Sequence, residues 1–137
     1  MRTDVFFDTN VLLYLISGDP AKADRAERLV GRGGVISVRV LNEFAAVASR
    51  KNAMAPREIR EVLSAVRAAC SVVPLSLETH DLALELLERF HLSFHDAVIV
   101  AAARLARCRI LYSEDLQDGQ SIEGMTIQNP FIDGRTD

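Results

Sequence analysis

The sequence predicts an α/β fold, a single three-layer α/β/α sandwich over residues 1–137 with a mostly parallel central sheet. Three observations lead there. Short β-rich runs alternate with longer stretches of helical apolar spacing, the pattern of strands joined by crossover helices. No repeat, low-complexity tract or Pro/Gly-rich linker divides the chain. Its 137 residues, 49% hydrophobic and 26% charged, suit one soluble domain with one core.

The first strand is expected at Val5 to Phe7, followed by a helical stretch from Val11 to Ser17 and a longer one from Ala21 to Gly31. The run "VGRGG" ends that second helix and leads into a strand at Val35 to Val38. Helical spacing then covers Val40 to Arg50. After the polar break "RKNAMA", Pro56 opens a helix to Ala69, a first-turn position that suits its fixed backbone. A third strand is expected at Val72 to Leu75, then helices from Leu77 to Phe90 and from Phe94 to Arg107. A fourth strand is placed at Arg109 to Tyr112 and a fifth at Met125 to Gln128. Strand, helix, strand in this order implies right-handed crossovers and helices on both faces of the sheet.

Charge and cysteine content narrow the function. A net charge of −3 argues against broad adhesion to nucleic acid, which needs many Lys/Arg–phosphate contacts. It leaves room for an enzyme that holds phosphate through metal ions and a few arginines. Cys70 and Cys108 lie in apolar segments without metal-ligand spacing, as expected of buried thiols in a reducing cytoplasm. Asp4, Asp8 and Asn10 interrupt any signal core around Val11 to Ile16, and no apolar run approaches the ~20 residues of a membrane span. A cytoplasmic protein without membrane attachment is expected.

In an open parallel sheet, ligands bind beyond the carboxyl ends of the strands, near the point where strand order reverses. Acids stand at these places. In "FFDTN", Asp8 follows the first strand, where it would also cap the helix starting near Val11. In "ISVRVLNEFAAVASR", Glu43 shares the core-facing stripe of its helix with Val40 and Val47. An i,i+4 ion pair with Arg39 and a turn into a polar cleft are both open to it. In "LSFHDAVIVAAARLARC", Asp96 precedes seven apolar residues, a helix buried nearly all round, with Ser93 as its N-cap. In "ILYSEDLQDGQ", Ser113 and Asp115 follow the fourth strand. If the first and fourth strands are adjacent, Asp8 and Asp115 become neighbours and four carboxylates converge.

Converging carboxylates repel one another unless something positive sits among them. The chain has only Lys22 and Lys51 as lysines, neither at a strand end, and Arg39 as the one arginine expected nearby. Mg²⁺ or Mn²⁺, one or two ions per site, suits such an acidic site, because these cations prefer carboxylate oxygen and water. That combination supports phosphodiester hydrolysis. Thr9, Asn10, Ser37 and Ser113 are candidates for orienting waters or ligands. Of the remaining acids in "SEDLQDG", Glu114 is expected to face solvent, and Asp118 either joins an ion through water or caps the loop before Gly119.

"DTNVLLYL", "SVRVLNEF", "SFHDAVIVAAA", "LYSEDLQDGQ" and "IQNPF", in this order, resemble a PIN domain, specifically a VapC-type toxin ribonuclease of a bacterial toxin–antitoxin pair. The resemblance spans nearly the whole chain. It implies an α/β/α fold, a Mg²⁺- or Mn²⁺-dependent endoribonuclease cutting RNAs such as tRNA or rRNA, a homodimer, and an antitoxin that occludes the site. By position Asp8, Glu43, Asp96 and Asp115 match the family's acidic, metal-holding residues, and Asn10 and Ser113 its polar supports. Arg39 stands where relatives often have Gln, and His95 where they often have Trp or Tyr. His95 is read as packing or substrate contact, His80 and His91 as surface or packing residues. Arg57, Arg60 and Arg67, alternating with Glu58 and Glu61, read as a solvated helix face. Arg39 or Arg2 is a candidate for RNA phosphate.

Two other functions fit an Asp after the first strand. An aspartyl-phosphate phosphotransferase usually needs a second Asp two residues on and a lysine after a later strand; here Asn10 stands at the first place and no lysine follows a strand. A non-catalytic, receiver-like scaffold would hold the acids for metal alone.

Overall fold

The computed structural model describes residues 2–132; Met1 and residues 133–137, which the single-domain expectation includes, lie outside the described residues. Strand β1 (Val5–Phe7) runs into helix α1 (Thr9–Leu13), which tightens into a 3₁₀ turn at Tyr14–Ile16. Helix α2 (Pro20–Gly31) follows, then β2 (Gly34–Ser37), α3 (Val38–Lys51), α4 (Pro56–Ala69), β3 (Cys70–Val73), α5 (Leu77–Arg89), α6 (Phe94–Leu105) and β4 (Ile110–Tyr112). A hairpin, β5 (Ser121–Ile122) and β6 (Met125–Gln128), completes the described order.

The six strands form one sheet in the order β3-β2-β1-β4-β6-β5, parallel except for β5. The chain steps outward from β1 to β2 to β3, then returns across the sheet to β4. With right-handed crossovers, that reversal puts α1–α4 on one face and α5–α6 on the other. It also makes β1 and β4 neighbours, with Val5 opposite Ile110 and Phe7 opposite Tyr112.

The expected α/β/α sandwich is present, with differences of detail. The third strand begins at Cys70 and ends at Val73, two residues earlier at each end than expected. Cys70 leaves the helix as the cap residue of α4 and pairs with Gly34. The second strand likewise ends at Ser37, because the Ser37 hydroxyl accepts from Val40 N at 3.4 Å and starts α3 there. Asp19 caps α2 and Pro20 takes its first position, which moves that start one residue forward. Strand β5 was not expected. Its turn is Glu123–Gly124, both with positive φ (51° and 89°), the geometry usually signalled by Asn-Gly or Asp-Gly.

The core fills both faces of the sheet. Phe6, Phe7, Ile36, Leu111 and Ile127 are wholly buried, as is Phe44 of α3. In α6 every residue from Ala97 to Ala103 is buried, so that helix is enclosed nearly all round, as expected. Phe7 stacks on Tyr112 with ring centroids 5.8 Å apart, and its other neighbour leaves no room for a side chain: a Cβ on Gly34 would lie 2.5 Å from the Phe7 ring. Cys70 and Cys108 are free and buried, and burial pushes both thiols up to about 11. No helix among the described residues is long and apolar enough to cross a membrane.

Candidate active site

The switch point between β1 and β4 places two loops side by side at the carboxyl edge of the sheet. Asp8 N donates to Tyr112 O (2.9 Å), the last ladder bond before the two chains part. Asp8 serves two ends there. Its Oδ1 accepts from Thr9 N at 2.7 Å, capping α1, which therefore begins at Thr9 rather than near Val11. Its Oδ2 accepts from the Ser113 hydroxyl at 2.8 Å.

Ser113, fully buried, organises the β4 loop around that bond: its Oγ accepts from Asp115 N (3.2 Å) and Leu116 N (3.3 Å). Asn10 spans the gap. Its Nδ2 lies 3.4 Å from Asp8 Oδ2 and 3.2 Å from Asp115 Oδ2, and its Oδ1 accepts from Glu114 N at 3.0 Å. Asp8 and Asp115, 107 positions apart by number, are thus joined through one amide and one hydroxyl.

Asp8 is 6% exposed, and its carboxyl is pushed up from 3.8 to about 6. Burial is the chief cause. The hydrogen bonds from Ser113 and Thr9 N hold it down, while the charges of Asp115 and Asp96 push it further up. Asp96 arrives from the first turn of α6, where Ser93 caps the helix by accepting from Asp96 N at 3.1 Å. Its charge and that of the exposed Asp115 carboxylate both act on the buried Asp8.

Glu43 takes the ion-pair alternative: its Oε2 lies 3.2 Å from Arg39 Nη1, one helical turn back. Ser37 sits at the same edge as the cap of α3. Thr9 is 1% exposed, and its hydroxyl is the buried side-chain polar atom left without a partner among the described residues. Asp118 turns away to close its loop, accepting from Asn129 N at 2.8 Å ahead of Gly119, whose φ is 86°. His95 is exposed on α6 beside Asp96.

Two expectations change. Arg2 precedes β1 at the amino edge of the sheet, with its backbone N on Arg32 O, and its guanidinium is engaged by Asp4, 3.3 Å from Nε, and by Tyr112. Glu114 does point away from Asp8, but not into solvent: it accepts from Tyr14 OH at 2.6 Å and from Lys22 Nζ at 3.1 Å. Lys22 also lies 3.0 Å from Tyr14 OH, and these contacts raise its pKa. Tyr14 and Lys22 therefore pin the β4 loop to the 3₁₀ turn after α1 and to α2. No local pattern announced this clamp, since Lys22 and Glu114 are far apart in the chain.

The donors at this edge are all hard oxygen: the buried Asp8 carboxyl, the Asp96 and Asp115 carboxylates whose charges act on it, a buried serine and an orphaned threonine hydroxyl. The lysine in reach is spent on Glu114 and Tyr14, and Arg39 on Glu43. That set fits Mg²⁺ or Mn²⁺. As the side chains stand, no group of three or more His, Cys, Asp or Glu among the described residues is closed around an ion position.

A PIN domain profile matches residues 5–117, which run from the first residue of β1 past Asp115. The chain belongs to the PIN domain family. Solved structures with the same PIN fold include a toxin–antitoxin complex from Klebsiella pneumoniae, at 24% identity and TM-score 0.70, covering 93% of this chain and 98% of that one. VapC20 of Mycobacterium tuberculosis, a sarcin-ricin loop cleaving toxin, matches at 24% identity and TM-score 0.65 over 81% of this chain and 89% of its own. VapBC2 from Rickettsia felis, bound to a DNA fragment from its promoter, matches at 18% and 0.64 over 91% and 97%. A search of curated protein sequences returned no significant match. PIN domains are nucleases, and membership of the family indicates hydrolysis of nucleic-acid phosphodiesters.

Proposed function

We propose that this PIN-domain chain is a Mg²⁺- or Mn²⁺-dependent endoribonuclease acting as the toxin of a toxin–antitoxin pair, with a structured RNA of tRNA or rRNA type as substrate. The observation that carries the reading is the buried Asp8 carboxyl, joined through Ser113 and Asn10 to Asp115 and facing the charge of Asp96. The toxin assignment draws support from the solved neighbours, one described as a toxin–antitoxin complex and another as a sarcin-ricin loop cleaving toxin. A cognate antitoxin covering the site and a homodimer complete the reading.

Asp8, Asp96 and Asp115 would hold the ion, with Glu43 joining if it leaves Arg39. A bound divalent cation supplies Lewis acidity toward the phosphate and toward the attacking water. The chain's own groups set the geometry. Ser113 and Thr9 N fix both oxygens of Asp8, so this carboxylate presents one orientation to the cleft. Asn10 holds Asp115 by its amide and the loop backbone by its carbonyl. The Tyr14–Lys22–Glu114 clamp keeps that loop against α1, and so keeps Asp115 beside Asp8. Asp96, half-buried in the first turn of α6, adds its negative charge beside Asp8.

Purified protein freed of antitoxin should cut structured RNA in Mg²⁺ or Mn²⁺. Chelation by EDTA, or Asp8→Asn, should abolish cutting. Undiminished cleavage by Asp96→Asn under the same conditions would remove Asp96 from the site. A phosphotransferase would instead show a phosphorylated Asp8, and a scaffold neither signal.

A further inference from the structure

Beside the acids, at the same edge of the sheet, the first turns of α3, α5 and α6 leave a cavity of about 340 Å³. Leu75, Phe94 and Val98 give it apolar walls, and Arg39, His80 and His95 line it as well. The volume falls at the lower end of the range for small-molecule sites, about 300–1,000 Å³. Two features separate it from an ordinary surface dimple. Phe94 is 37% exposed and Leu75 52%, although α6 is otherwise buried from Ala97 to Ala103. Phe94 also meets His80 edge to face, with centroids 5.8 Å apart, which fixes its ring plane.

The charge pattern says what kind of group belongs there. No acid among the described residues lines the cavity, yet it adjoins the acidic edge at two points. Arg39 faces the cavity and reaches Glu43 at 3.2 Å, and His95 is the residue before Asp96. A ligand with a flat, weakly polar head and an anionic link toward the acids matches this layout. A nucleotide is such a ligand: proteins hold unpaired bases by stacking on Phe, His or Arg and read their edges with nearby polar groups.

We propose that this cavity is a nucleobase subsite, which takes the base of a nucleotide flanking the scissile phosphate, stacked on Phe94, with Arg39 directed at that nucleotide's phosphate. His80 and His95 supply polar groups for the base edge, so the cavity contributes sequence preference to cleavage. This rests on the ribonuclease reading above and goes beyond it by assigning the residues that choose the cut position.

The test uses the full chain and a short RNA that the wild type cuts. In the Asp8→Asn background, which binds without turnover, 2-aminopurine is placed at each position of that RNA in turn and binding is followed by its fluorescence. One position next to the cut should be quenched on binding. Phe94→Ala should remove the quenching and weaken binding about tenfold, the effect of losing one stacked base. An abasic nucleotide at that position should cost the parent protein the same factor and cost Phe94→Ala nothing further. Leu75→Ala, at a more exposed wall, should give a smaller loss in the same direction, and thermal unfolding of both variants should match the parent.

The proposal is overturned if no position is quenched, if Phe94→Ala binds as tightly as the parent, or if its loss persists undiminished on abasic RNA. It is also overturned if Phe94→Ala changes the oligomeric state or the hold on a co-expressed antitoxin while RNA affinity stays constant, since the cavity is then a protein interface. Wild-type cutting separates the two levels. Failure of the wild type to cut any RNA sinks the parent reading together with this one. Intact cutting by Phe94→Ala, with unchanged KM and unchanged cut position, sinks the subsite alone.

Discussion

At the residue scale, Asp8 is held in a condition that costs the folded chain stability at neutral pH. Its carboxyl titrates near 6 when folded against 3.8 in an ordinary setting, so the folded state binds the proton more tightly. That preference stabilises the fold fully at low pH and is lost as pH rises through about 6. Asn keeps the cap on α1 and mimics the protonated acid. Asp8→Asn, measured without divalent ions, should therefore be more stable than wild type at pH 8 by up to about 3 kcal/mol, from about 1.4 kcal/mol per pKa unit. The gap should close toward pH 4. A variant less stable than wild type at pH 8 by urea titration would contradict this account of Asp8. Ser113→Ala removes the hydroxyl that donates to Asp8 and accepts from two backbone N–H groups in a fully buried place. It should cost about 1–3 kcal/mol in urea unfolding and move the acid limb of the cleavage pH profile upward, because Asp8 loses its main hydrogen-bond support.

At the element scale, alternation left the β1–β4 pairing that brings Asp8 to Asp115 as one of few strand orders, a condition that the observed sheet meets. The Arg39–Glu43 pair was legible too, as an i,i+4 contact within one helix. What escaped depended on partners remote in sequence or on unusual turn chemistry. Helical spacing through "VRAAC" hid the fact that Cys70 already pairs with Gly34 of β2. Glu123 in a left-handed turn conceals β5; it is held by Arg89 of α5 at 2.8 Å and Arg104 of α6 at 3.4 Å, contacts that no short window contains. The close pass of β1 and β2 is testable. Gly34→Ala sets a Cβ into the Phe7 ring, which is fully buried and stacked on Tyr112, so the ring cannot swing aside. Overpacking of this kind should lower stability by about 1–3 kcal/mol. An unchanged denaturation midpoint would show that the sheet yields there.

At the scale of the whole molecule, mutually repelling acids at one edge make stability depend on what neutralises them. Mg²⁺ or Mn²⁺ at ten times its dissociation constant should add about 1.4 kcal/mol, seen as a rise of a few degrees in the unfolding midpoint, reversed by EDTA and absent in Asp8→Asn. A midpoint indifferent to both ions would argue against the proposed cation site. The chain also carries its own optical reporters, for it has no tryptophan and two tyrosines. Tyr112 is sealed in the sheet beside Phe7, while Tyr14 shares its phenol with Glu114 next to the loop that bears Asp115. Tyr112→Phe would leave a chain whose near-ultraviolet absorption and emission come from Tyr14 alone. Movement of the Asp115 loop on binding an ion, RNA or protein could then be followed without an added label.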